Sequence, residues 1–225
     1  MEKYINPDSD GRFYERTDLV RANCHDCMGC YKCCMGMGDS IVLDPYDMFL
    51  LRTGLGLGLE ALIQKGYVSL GNYEGMILPH IEMGKMNQCS FLDENKRCSI
   101  HKVRPGICRL FPLGRNYFDG KMNYILLTKA CENKSRSKIE VQKWLGITDE
   151  KQYHEFVIAW HYFRKEMTSL FQNENEDQIR DVNMYLLNAF FVQPDCTVTK
   201  ENPETMFYEW FREKLQKIKS AFAID

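Results

Sequence analysis

Five cysteines crowd into one short run, Cys24, Cys27, Cys30, Cys33 and Cys34, within the string CHDCMGCYKCC. Four more follow at Cys89, Cys98, Cys108 and Cys131. No packing argument asks for this pattern. A buried thiol serves as a small apolar residue, but a core does not require one at every third position. Thiolates at that spacing converge on a metal instead. The pattern therefore constrains the fold. Segments separated by the whole stretch from Cys34 to Cys89 must return to one place.

The chain does not need cysteines as staples. It has 225 residues, of which 44% are hydrophobic and 12% aromatic, enough for a sizeable core without cross-links. Its first residues, MEKYINPDSD, carry no apolar stretch of the secretory type. No run approaches the roughly 18–20 apolar residues of a membrane span. These features predict a cytoplasmic protein with no membrane association. In a reducing compartment clustered cysteines mean metal or redox chemistry rather than cystines. Charge is near balance, 29 basic against 31 acidic residues. Lys129, Lys134, Arg136 and Lys138 form the densest basic run, interrupted by Glu132. That reads as a solvated linker rather than a grip on phosphates, so no nucleic-acid partner is expected.

Local signals predict the elements. Residues 1–22 read as an irregular arm. Asp44-Pro45 starts a helix, with Asp44 as cap, Pro45 at the first position and Asp47 adding negative charge to the first turn. That helix is expected to end at about Arg52, before Gly54. A second short helix is expected from Gly58 to Gln64, closed by Gly66. Residues 67–82 suit one or two short strands. CSFLDENKRCSI reads as a hairpin that brings Cys89 toward Cys98, with Asp93 to Lys96 as its turn. Arg104-Pro105-Gly106 breaks the chain before a short helical turn carrying Cys108. Asp119-Gly120 marks a second hairpin within Tyr117–Thr128. Beyond Cys131 the chain turns helical. One face runs from Tyr153 through Phe156, Trp160, Phe163 and Met167 to Phe171. A second face holds Ile179, Val182, Leu186 and Phe190. A third helix starts at Asn202-Pro203 and presents Phe207, Trp210, Phe211 and Ile218.

The expected fold class is mainly α with small β hairpins. An irregular cysteine-rich, metal-bound core over residues 1–135 is followed by a helical extension over 136–225, packed on it. Cys196 is the one cysteine of that extension and reads as a buried or loop thiol.

Two motif readings compete over the cysteine run. Cys24, Cys27, Cys30 and Cys34 fit the ferredoxin spacing C-x2-C-x2-C-x3-C, but Met35 stands where Pro follows and no second copy exists. Cys27, Cys30, Cys33 and Cys34 also spell CxxCxxCC. Downstream stands C-x8-C-x2-H-x2-RP-x2-CR, from Cys89 through Cys98, His101, Arg104 and Pro105 to Cys108 and Arg109. Together these resemble the CxxCxxCC family of bacterial cysteine-cluster proteins, regarded as zinc- or iron-chelating domains. The segment Ile41–Gly54 and the position of Cys131 are similar to that family too. The resemblance covers roughly residues 24–135. It implies eight metal ligands: Cys27, Cys30, Cys33, Cys34, Cys89, Cys98, Cys108 and Cys131. Cys24 is additional to the family pattern. His101 stands where the family commonly has tyrosine. Through its cysteine pattern the family is also distantly similar to flagellin lysine N-methylases, but no glycine-rich nucleotide loop stands in this chain.

Eight thiols equal two four-thiolate sites, or one polynuclear cluster with sulfurs to spare. Side chains of adjacent Cys33 and Cys34 diverge, so that pair splits between two metals or leaves one thiol free. Arg104 and Arg109 suit charge balance around a thiolate centre, because Arg stays cationic. His154 and His161, seven residues apart on a helix, read as packing or exposed residues rather than ligands. There is no GxSxG, HExxH or Walker loop, so no catalytic residue is identified.

The expected cofactor is an iron–sulfur cluster, with zinc as the alternative. Three functions follow from these features. They are a redox-active protein or one supporting a modification reaction, a structural zinc module presenting a helical surface to a protein partner, and a lysine-methylase-like enzyme.

Overall fold

The computed structural model describes residues 6–24, 30–133, 135–192 and 203–224. Six short strands and seven α-helices form among them. Helix takes 46% and strand 21%, so the molecule is mixed α/β rather than mainly α as expected. The difference arises from strands that pair only two at a time and leave no long alternating run in the sequence.

The chain divides into two compact units, Met1–Ile41 with Ile81–Glu150, and Val42–His80 with Lys151–Asp225. The stretch from Val42 to His80 belongs with the later helices. Residues 137–150, expected to be helical extension, belong with the cysteines.

In the first unit, β1 (Leu19–Asn23) pairs antiparallel with β6 (Ser137–Glu140), through Val20↔Ile139 and Asn23↔Ser137. β4 (Leu113–Phe118) and β5 (Lys121–Leu126) form the hairpin expected around Asp119-Gly120. Both turn residues take left-handed φ, 50° and 70°, which suits the right-handed twist of the strands they join. The amino-terminal arm is more ordered than expected. Tyr14 exchanges two backbone hydrogen bonds with Tyr124, 2.8 and 2.9 Å, so the arm lies along the outer edge of β5. α4 (Val141–Leu145) packs on β1 and on α3 (Gly106–Leu110). The Trp144 indole N–H donates to the Leu110 and Phe111 carbonyls, tying α4 to the end of the helix that carries Cys108.

The second unit is built on aromatic rings. Its α1 (Pro45–Leu55) opens with a capping box: Asp44 accepts from the Asp47 amide, and Asp47 accepts from the Asp44 amide. The helix runs past Gly54 and ends at Gly56, whose φ of 68° supplies the left-handed cap. α2 (Leu59–Gln64) closes at Gly66 as expected. β2 (Val68–Tyr73) and β3 (Met76–Ile81) form a hairpin. Its turn holds Gly75 at φ 92°, where an added Cβ would come within 3.0 Å of the Phe171 ring. α5 (Glu150–Phe171), α6 (Glu176–Leu187) and α7 (Pro203–Ala221) are the three helices that periodicity predicts. Tyr46 stacks on Tyr208 at 5.4 Å, and Phe156 meets Phe211 edge-on at 4.6 Å. Asn183, buried on α6, accepts from the Ile77 amide and donates to the Gly75 carbonyl, which fixes α6 to the hairpin. Asn202, the expected cap of α7, lies outside the described residues, as does Cys196.

Candidate metal centre

The cysteine site is assembled by backbone pairing between remote segments. Cys33 and Cys34 sit in a single helical turn, Lys32–Cys34, closed by the Cys34 amide donating to the Tyr31 carbonyl at 2.9 Å. Gly36, at φ 70°, turns the chain back. The segment 34–36 lies against residues 87–89, with Met35 opposite Gln88. The Cys89 amide donates to the Cys34 carbonyl at 2.8 Å, and the Gly36 amide to the Asn87 carbonyl at 2.7 Å. The first and second cysteine groups are thus joined main chain to main chain.

The next segment folds as the hairpin read from the sequence, held by a single bridge, Leu92↔Cys98, rather than by a ladder. Asp93 fixes its turn. One carboxylate oxygen accepts from the Asn95 and Arg97 amides at 2.9 and 2.8 Å. The His101 amide then donates to the Cys98 carbonyl. Arg109 donates to the Arg104 and Lys102 carbonyls, holding the Arg104-Pro105 corner from which α3 presents Cys108.

Cys30, Cys33, Cys34, Cys89, Cys98 and Cys108 all line one cavity of about 360 Å³ within the first unit. His101 and Arg104 share its wall. All eight described cysteines are free thiols. Cys30 is exposed, and Cys33, Cys34, Cys89, Cys98 and Cys108 are half-buried. Solvent therefore reaches the site without flooding it.

Electrostatics show that the thiols sense one another. Cys34 donates a hydrogen bond to Cys33, and this draws the Cys33 thiol down to about 7. The same bond, with burial, pushes Cys34 up, and the charges of Cys33, Cys89 and Cys98 add to that. Burial raises Cys89 and Cys98 as well. Each of those two is partly compensated by a hydrogen bond from the amide two residues on, Phe91 and Ile100 respectively. The positive charge of Arg104 lowers both Cys33 and Cys98. Donors and a cation that favour thiolates thus stand around the cavity.

The remaining predicted ligands lie as follows. Cys27 falls outside the described residues. Cys131 is half-buried and does not line the cavity. Its neighbour Glu132 pairs with Lys32 at 3.3 Å, which keeps that segment beside the cysteine turn. Cys24 is buried at the end of β1, away from the cavity wall. His154 and His161 belong to the other unit. Among the described residues no three His, Cys, Asp or Glu side chains stand together at metal-holding separation. The donor set is soft and thiol-rich, as zinc and iron–sulfur clusters require.

Two residues escaped the sequence reading. Lys96 lies over the Tyr31 ring at 4.7 Å and donates to its hydroxyl at 3.1 Å, linking the hairpin turn to the cysteine loop. Nothing in the sequence pairs residues 65 positions apart.

Thiols gathered from separate segments around one cavity define a cysteine-cluster domain. Residues 26–132 match the CxxCxxCC family model, described as "Putative zinc- or iron-chelating domain". That match lies on the residues whose motifs resemble the family, and it spans just under half of the chain. No solved structure matches the chain. No helix among the described residues is long and apolar enough to cross a membrane.

Proposed function

We propose that this domain holds an iron–sulfur cluster through thiolates, and that its role is redox chemistry at that cluster. Cys33, Cys34, Cys89 and Cys98 are the central donors. Cys27, Cys30, Cys108 and Cys131 complete the donor set. The observation that carries this reading is that six cysteines from three chain segments line a single cavity. One tetrahedral ion uses four thiolates. An iron–sulfur cluster also uses four, so the count supports a thiolate centre, and sulfide content distinguishes a cluster from two zinc sites.

Such a group would accept and release single electrons when bound. The chain's own residues supply the rest. Arg104 offsets thiolate charge. The Phe91 and Ile100 amides orient two sulfurs. Ile41, Ile81 and Phe111 on the cavity wall keep bulk water off part of the site.

Anaerobic purification with iron, zinc and acid-labile sulfide analysis tests the reading. The expected result is a coloured protein absorbing near 400 nm with iron and sulfide together. Zinc without sulfide overturns the cluster and leaves a structural thiolate site. Neither metal overturns both.

A further inference from the structure

The cavity is larger and more varied than a thiolate site needs. A metal held at about 2.3 Å from its sulfurs lies within the thiolate shell. About 360 Å³ falls instead in the range of small-molecule pockets, on the order of 300–1,000 Å³. Much of the wall is Ile41, Ile81, Leu92, Ile107 and Phe111, whose side chains offer a metal no donor atom.

The charged part of the wall has one sign. Lys96, Arg97 and Arg104 line the cavity, and among the described residues no Asp or Glu does. This holds although the chain as a whole carries a formal charge of −2. Arg104 presents a further feature. Its Nε–H is buried and has no hydrogen-bond partner among the described residues. A buried donor left unmet costs free energy, so its persistence calls for an acceptor. A thiolate centre answers to the charge of Arg104. It does not account for three cations together with an apolar wall. A guanidinium edge is matched by a planar carboxylate or by a phosphate, both of which accept two parallel hydrogen bonds.

We infer that the cavity beside the thiols binds a small organic oxyanion, a carboxylate or phosphate monoester on an apolar body, with Arg104 as its anchor. The apolar part lies along Ile41, Ile81 and Phe111. Lys96 and Arg97 raise the local potential for the anion's approach. The inference rests on the metal reading only in assigning the thiols to a metal; the groups that take the oxyanion are Arg104 and the apolar wall.

Titration of the full, metal-loaded chain with hexanoate, hexyl phosphate and the neutral hexanamide, followed by calorimetry and by chemical-shift changes, tests this. Saturable binding of at least one anion is expected, with hexanamide at least tenfold weaker. The tighter anion names the oxyanion. Arg104→Gln is expected to weaken the anion at least tenfold and leave hexanamide unchanged, with metal content measured alongside. Should that variant lose metal, Met37→Glu carries the test, because it removes neither a cation nor a cysteine. It must weaken the anion at least tenfold more than the amide. Equal binding of anion and amide, no anion binding, or anion binding indifferent to the variants overturns the inference. Wild-type protein that purifies without metal contradicts the proposed function instead. The same titration on that protein still decides the oxyanion site.

Discussion

At the scale of single residues the centre is governed by how adjacent thiols share protons. The Cys34 thiol donates to Cys33, so one of the pair ionises near neutrality while the other is held back. The sign of the pH effect follows. The Cys33 pKa, about 7, lies below the reference value of 9.0. Its contribution to stability is present above 9 and is lost as pH falls through 7. Cys34, Cys89 and Cys98 are raised above 9.0, so theirs is present below 9 and is lost as pH rises beyond it. Reduced protein kept free of metal is therefore expected to show its highest urea midpoint near pH 8, with lower values at pH 6 and pH 10. A steady rise across that range contradicts the assignment. Metal changes the outcome, because its ligands must lose their protons. Apparent metal affinity, measured against a coloured chelator, should strengthen from pH 6 to pH 8. Cys33→Ser and Cys89→Ser are each expected to lose most bound metal, while Cys24→Ser retains it, since Cys24 does not line the cavity. The candidate thiols were legible in the sequence because cysteine spacing is itself the signal. The Lys96–Tyr31 contact was not. It depends on where two turns come to rest, and neither residue type announces a partner.

Among the elements, local chemistry was legible wherever a short-range signal decides the structure. Asp44-Pro45, Gly66 and Asp119-Gly120 each set a boundary through capping or left-handed backbone, and each was read correctly. The end of α1 was misplaced because Gly54 and Gly56 are both plausible caps, and only one takes a positive φ. β1 and β6 were missed because their pairing joins residues 19–23 to 137–140, and no local pattern encodes such a partner. Two measurements probe this level. Asp44→Ala removes half of the capping box and should cost about 1 kcal/mol. For a chain of this size that lowers Tm by about 2–4 °C. Asn183→Ala strands the Ile77 amide and the Gly75 carbonyl and should cost more, on the order of 1–3 kcal/mol for each buried group left unmet. Neither variant touches the cysteines, so metal content should be unchanged in both. Loss of metal on either substitution would show that the elements are coupled more tightly than described.

For the molecule as a whole, the order of the chain hides its construction. The stretch Val42–His80 leaves the cysteine unit between the first thiols and the second, and the chain returns at Ile81. Composition changes near residue 135, while these compact units follow spatial neighbours. A metal centre held by Cys33 or Cys34 together with Cys89 and Cys98 would span this excursion and hold its two ends together. Its binding free energy would then act as folding free energy for the first unit. Chelation under reducing conditions should accelerate amide exchange at residues 30–36 and 84–101 by at least tenfold. Exchange in α5 and α7 should be unaffected. The account depends most on remote sulfurs meeting at one metal. X-ray absorption at the metal edge of the anaerobically purified chain tests that directly. The account predicts a first shell of sulfur at about 2.3 Å. A shell of nitrogen and oxygen at about 2.0–2.1 Å, or no bound metal at all, would contradict it.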